Sequence, residues 1–147
     1  MTDARIRPAR VEDAAAIAAL TTQLGYAVDA EGQARRLAPI LASDRDAVLV
    51  ATDAADRPIG WIHVQRRLYL EGDDQALIAG LVVDEEHRSS GIGAALLAAA
   101  EEWATAHDLR SMRVQSRVER AGAHRFYERH GYAVAKTSLV FDRPIHR

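Results

Sequence analysis

The chain has 147 residues, enough for one domain with a single buried core, and its 48% hydrophobic and 27% charged residues are globular usage rather than disorder. With 19 Lys and Arg against 21 Asp and Glu the formal charge is −2, which lacks the basic field that non-specific nucleic-acid binding needs. The absence of cysteine excludes a disulfide frame, a thiolate metal site and a cysteinyl intermediate.

The first 24 residues mix alanine and leucine with Asp3, Arg5, Arg7, Arg10, Glu12 and Asp13, a pattern of neither a signal peptide nor a membrane span. A cytoplasmic protein is expected. Arg5 to Arg7 read as a short strand ended near Pro8. Ile17, Leu20 and Leu24 recur at helical steps and predict an amphipathic helix over about Val11 to Leu24, stopped by Gly25. Asp29 is the expected N-cap of a second helix, roughly Glu31 to Leu41, with Leu37 and Leu41 facing inward. Ala47–Thr52 and Pro58–Tyr69 are β-rich runs around DAADR and predict a hairpin, which Gln75–Val83 continues antiparallel. In the following helix, Ala94 to Ala106, Leu96, Ala100, Trp103 and His107 are expected to pack on the sheet. Arg110–Ser116 is the next strand, parallel to the one ending at Val83 because a helix crosses between them. A last helix, Glu119 to His130, closes at Gly131, and Tyr132 to Phe141 are expected to add a final strand. The fold class is α/β: one domain over residues 1–147, a mixed, mostly antiparallel sheet with helices on both faces.

Between the strand ending at Val83 and the helix after Gly93 stands the turn Arg88-Ser89-Ser90-Gly91-Ile92-Gly93. Glycines at 91 and 93 let the turn aim several N–H groups at one concave point, and a helix starting there adds its own unpaired N–H groups and positive dipole end. Such a turn suits a pyrophosphate. A P-loop would need Lys then Ser or Thr where Ala94 and Ala95 stand, and a dinucleotide fingerprint would need three glycines early in the chain.

That turn resembles the Arg-x-x-Gly-x-Gly/Ala signature of the GNAT superfamily of N-acetyltransferases. A second segment, VQSRVERAGAHRFYERHGY at 114–132, resembles the superfamily's closing Ala-x-x-Phe-Tyr-x-x-x-Gly-Tyr pattern through Ala123, Phe126, Tyr127, Gly131 and Tyr132. The resemblance implies the acyl-CoA N-acyltransferase fold, with its parallel strand pair splayed apart and the pantetheine arm of acetyl-CoA lying in the gap. It implies that the donor is held by Leu81, Val82 and Val83 as though it were an added strand. Arg88, Ser89, Ser90, Gly91, Ile92, Gly93 and Ala94 would hold its pyrophosphate, Arg88 being either a phosphate contact or a solvated surface residue. Ser116 and Phe126 complete the implied cofactor set, Phe126 mainly as a core residue.

In the superfamily a tyrosine at the place of Tyr127 often protonates the departing thiolate; a phenol of reference pKa about 10 is still neutral at pH 7. The alternative role for Tyr127 is packing against the cofactor. The implied acceptor is a small-molecule or protein amine attacking in a ternary complex, and an amine of pKa about 10.4 must lose a proton before it reacts. Many relatives carry a glutamate near Ala79 and Gly80; this chain has none there. A water relay is then the expected route, with Glu71, Asp84 and His63 as side-chain alternatives, Asp84 reading better as a turn cap and His63 as an edge or core histidine. The asparagine that often follows the serine of the preceding strand is here Arg117, after Ser116, so its role passes to Ser116, to backbone or to nothing. No histidine pair has zinc-ligand spacing, and no metal is expected. Tyr26 and His124 are candidates for the acceptor wall, Trp61 and Trp103 for core or interface anchors, and a homodimer through the sheet edge or Trp61 is compatible with the family.

Overall fold

The structure, a computed structural model, describes residues 4–116 and 121–146. The chain forms two compact units, Met1–Gln115 and Ser116–Arg147. The first is built on a five-stranded sheet in the order β1 (Arg5–Pro8), β2 (Asp46–Thr52), β3 (Pro58–Arg67), β4 (Gln75–Val83) and β5 (Met112–Val114). All neighbours are antiparallel except β4 and β5, which run parallel with helix α3 (Ile92–Ala106) crossing between them. This is the mixed sheet that the sequence predicts.

Two helices precede β2. The first, α1 (Ala14–Gln23), starts three residues later than the periodicity suggests, because Val11–Asp13 form a 3-10 turn. Asp13 is the cause: its carboxylate accepts the Arg10 N–H at 2.8 Å and is clasped by both terminal nitrogens of Arg7 at 2.8 and 2.9 Å. The second, α2 (Ala30–Ala42), is capped as expected, Asp29 Oδ1 accepting the Gly32 N–H at 2.7 Å. Its Leu37 is buried with Ile17 of α1 and Val48 and Val50 of β2, and Trp61 and Leu41 pack against that cluster. The next residue along β3 from Trp61 faces the other way: a Cβ at Gly60 would lie 3.2 Å from Leu96 and 3.3 Å from Ile92. Helices α1 and α2 therefore cover one face of the sheet and α3 the other.

Three expectations need correction. The face of α3 that packs on the sheet is Ile92, Leu96, Leu97, Ala100 and Ala104, whereas His107 is exposed. In so alanine-rich a helix nearly every face is apolar, and Trp103 and His107 satisfy each other at the rim, ring centroids 4.3 Å apart. Strand β5 is three residues rather than seven, since its parallel partner is bulged just beyond Ile78 and the pairing Ala76–Ile78 with Met112–Val114 ends there. Finally, Tyr132–Phe141 form no strand. The segment has β-forming residues, but a strand needs a partner backbone, and among the described residues it pairs with none. Val134, Leu139, Val140, Phe141 and Ile145 are left 80–87% exposed.

In the second unit the described helix is α4 (Ala121–Arg129); its expected beginning at Glu119 lies outside the described residues. Its half-buried face is Ala123, His124, Phe126 and Tyr127.

Candidate active site

The strand-turn-helix β4–α3 is the centre of the first unit. Asp84 leaves the strand, Glu85–His87 make a single 3-10 turn, and Ser89 and Gly91 both take left-handed backbone, φ +68° and +87°, before α3 begins. Gly91 is the N-cap, and a Cβ there would meet nothing within 4 Å, so the turn is open on that side. Gly93 needs no special conformation and is simply the second residue of the helix. The first helical hydrogen bond is from Ala95 N–H to Gly91 O at 3.0 Å, which leaves the N–H groups of Ile92, Gly93 and Ala94 outside the helical ladder. An anion is the natural partner for such a cluster. Ser90 Oγ folds back onto His87 O and shapes the turn, and exposed Arg88 reaches Val83 O at 3.4 Å.

The strand before the turn offers an open edge. Past Ile78, β4 has no partner on the β5 side among the described residues, and Ala79 is the extra residue of a bulge between the His63–Gly80 and Val64–Ile78 pairs. Asp84 N–H bonds Ile59 O at 2.9 Å. By antiparallel alternation, Leu81 and Val83 then turn their backbone groups away from β3 toward the open edge, while Val82 turns its own toward β3 and buries its side chain.

A contact invisible in the sequence braces this centre. Gln23, the last residue of α1, donates to Asp84 Oδ1 at 3.0 Å and accepts the Glu85 N–H at 3.0 Å, tying α1 to the turn. The Gln23 hydrogen bond, aided by His87 at 3.0 Å, holds the Asp84 carboxyl below its usual range. Asp84 thus follows the end of its strand at the N-terminus of the turn, with its side chain engaged by Gln23 and His87 rather than by a capping hydrogen bond. Glu71 lies exposed in the β3–β4 turn, and Tyr26, 56% exposed, stands between α1 and α2.

A second omission is on the α1–α2 face. His63 Nε2 lies 2.7 Å from Asp46 Oδ1, and Gln65 donates to the same oxygen at 3.1 Å. Burial opposes the charge on Asp46, but hydrogen bonds from His63, Ser43 and Gln65 outweigh it and hold the carboxyl below the ordinary range. Strand register explains the pair: Asp46 faces Gln65, two residues along from His63 on the same side of the sheet.

Within the second unit Tyr127 rests edge-on against Phe126 and Tyr132, centroids 5.2 and 5.7 Å away, and Phe126 also meets His130. Burial raises the Tyr127 phenol above its ordinary pKa, so it stays protonated at neutral pH. Ser116 is exposed, and Arg117 lies outside the described residues.

A strand edge beside a bulge, running into a left-handed turn and a helix N-terminus, is an arrangement suited to an extended chain that ends in an anionic group. The family model of the GNAT acetyltransferases matches residues 14–132. An aminoglycoside N(6')-acetyltransferase type 1 of Stenotrophomonas maltophilia is 32% identical over 144 residues, covering 95% of this chain and 93% of that protein. Among solved structures, the aminoglycoside 6'-N-acetyltransferase AAC(6')-IG of Acinetobacter haemolyticus superposes with a TM-score of 0.83 at 19% identity, covering 97% of this chain and 99% of that one. AAC(6')-Iy, solved with a coenzyme A bisubstrate analogue, gives a TM-score of 0.85 at 20% identity, covering 98% of this chain and 100% of that one. The chain belongs to the GNAT family of acetyltransferases. It is an enzyme that transfers the acetyl group of acetyl-CoA to an amine.

Proposed function

We propose that the acceptor is a primary amine of an aminosugar of the aminoglycoside class, attacked in a ternary complex without a covalent enzyme intermediate. The observation that carries this is the 32% identity, over nearly the whole of both chains, to an aminoglycoside N(6')-acetyltransferase. Acetyl-CoA supplies an activated acyl carbon and a thiolate leaving group; the chain supplies position and proton traffic. Leu81 and Val83 offer outward backbone groups to the pantetheine amides, Val82 holds the strand in register between them, and a Leu81 N–H polarises the thioester carbonyl. The N–H groups of the turn from Ser89 through Ala94, including Ser90, Gly91, Ile92 and Gly93, hold the pyrophosphate, with the Arg88 guanidinium beside them. Tyr127 protonates the leaving thiolate, a role supported by the burial that keeps its phenol neutral. Ser116 and Phe126 complete the proposed cofactor-binding set.

We take both units as one N-acetyltransferase domain, a reading supported by the family match that runs across their boundary. We place the chain in the cytoplasm, where its donor is made. Pairing of two copies through the C-terminal segment is supported by its five exposed large apolar side chains; Trp61, which packs against the α1–α2 core, is not available for that purpose. The test of the acceptor is a panel of aminoglycosides bearing either an amine or a hydroxyl at the 6' position, with polyamines and a lysine peptide as competitors. Thiol release and addition of one acetyl group only with the 6'-amines support the proposal. Turnover of polyamine or peptide alone overturns it.

A further inference from the structure

The family's usual carboxylate is missing near Ala79 and Gly80, yet a histidine stands directly across the strand from that place. His63 pairs with Gly80, next to the bulged Ala79, where β5 stops pairing and the sheet opens. The side chains of His63 and Asp46 are only 17% and 15% exposed, and they are joined at 2.7 Å. A carboxylate can only accept, so in the neutral ring Nε2 is the nitrogen that carries the proton and Nδ1 is bare. No hydrogen bond to Nδ1 is made by the described residues. The groups around His63 are Val48 and Asp46 on β2, Trp61 and Gln65 on its own strand, and Gly80 on β4. The helix residues packed over this face, Ile17, Leu37, Ile40 and Leu41, are apolar, which leaves Asp46 as the titratable contact among the described residues.

Trp61 completes the arrangement. Its indole lies on Gly80, where an added Cβ would stand 2.7 Å from Cη2 and 2.8 Å from Cζ3. The Nε1–H of that ring is buried and has no partner among the described residues. A buried donor of this kind calls for an oxygen partner on the same sheet face as His63.

We propose that His63, oriented by Asp46, takes the proton that the acceptor amine loses during acetyl transfer. The inference rests on the amine-acceptor reading above. The amine nitrogen bonds to the acetyl carbon, the C–S bond breaks, the nitrogen's proton passes to Nδ1, and the sulfur leaves as a thiolate that takes its proton from the donor proposed above. The Asp46 carboxylate fixes the tautomer with Nδ1 unprotonated and stabilises the imidazolium as it forms, so Asp46 is a positioning residue.

The test uses His63→Gln and Asp46→Asn in the full chain, with whichever amine the wild type acetylates. Both variants are expected to lose kcat by roughly 10²- to 10⁴-fold at neutral pH while the KM for acetyl-CoA is unchanged. His63→Gln should also lose the low-pH limb of the kcat/KM profile, because a protonated imidazole cannot accept the amine's proton. Independently of activity, long-range ¹H–¹⁵N spectra of the free protein should show His63 protonated at Nε2 and bare at Nδ1. Wild-type kcat with an intact low-pH limb in His63→Gln, or a proton on Nδ1 in the neutral ring, overturns the proposal. Should His63→Gln fail to fold, Asp46→Asn and the ring spectrum decide it. Failure of every aminosugar to react would overturn the acceptor reading but leave the tautomer result to judge this one.

Discussion

Replacing Gly80 by alanine sets two opposing effects against each other at the centre of the site. Alanine in place of glycine inside a strand stabilises by about 0.5–1 kcal/mol through lost unfolded-state freedom. Against this, the new Cβ would stand 2.7 and 2.8 Å from two carbons of the Trp61 ring, where ordinary contact is about 3.5–4.0 Å. The ring must retreat by almost an ångström, yet it packs against the cluster of Ala9, Ala14, Ile17, Leu37, Val48 and Val50. Overpacking of this kind costs about 1–3 kcal/mol, so the clash wins and Gly80→Ala should be destabilised by about 1 kcal/mol net. With a urea slope of 1–3 kcal/mol/M the unfolding midpoint should fall by roughly 0.5 M. Urea unfolding followed by tryptophan fluorescence, in a Trp103→Phe background so that Trp61 alone reports, measures both the midpoint and the ring's changed surroundings. An unchanged or higher midpoint with an unaltered Trp61 emission spectrum would refute the packing argument.

Asp13 is 6% exposed and clasped by Arg7, so Asp13→Ala should cost about 1.5–3 kcal/mol by removing the bidentate partner of a half-buried guanidinium that keeps Asp56, measured by urea midpoint. The Arg7 hydrogen bond, acting against burial, holds the folded Asp13 carboxyl below its ordinary pKa. Its contribution is therefore fully present above the unfolded value of about 3.9 and is lost as pH falls through the lower folded one; the alanine variant should show a flatter acid limb in stability against pH. Gln23→Ala frees both Asp84 and the Glu85 N–H from α1 and should raise the KM for acetyl-CoA several-fold with little change in kcat. Tyr127→Phe should lower kcat by roughly 10²-fold or more and leave the acetyl-CoA Kd unaltered by calorimetry; equal losses in both would make Tyr127 a packing residue.

Much of this structure is written in local sequence. Asp29 before an apolar period announces its cap on Gly32, DAADR separates two strands that pair, and Gln75–Val83 occupies the strand that its β-rich run predicts. The strand-turn-helix at 88–93 is legible because its glycine falls where left-handed φ is required. What escapes the sequence is set by partners far along the chain. Gln23 and Asp84 are 61 residues apart, and Asp46 and His63 are 17 apart. Nothing in a sequence period pairs them; strand register and helix docking do. One signal was present for His63, its alternation between buried Ile62 and Val64, which puts it on the opposite sheet face from both. The α3 stripe is hard to read because alanine gives a weak period, and the β propensity of 132–141 does not supply the partner backbone a strand needs.

The most direct test of the donor site is calorimetric titration with acetyl-CoA of the wild type beside Gly91→Glu, in protein verified as folded and free of copurified coenzyme. The φ of +87° at Gly91 and the open space around it mean that a glutamate there strains the turn and sets a negative charge beside the N–H cluster. The account predicts saturable one-to-one binding by the wild type and none by the variant. Absence of binding by the wild type, or equal binding by both, would contradict it.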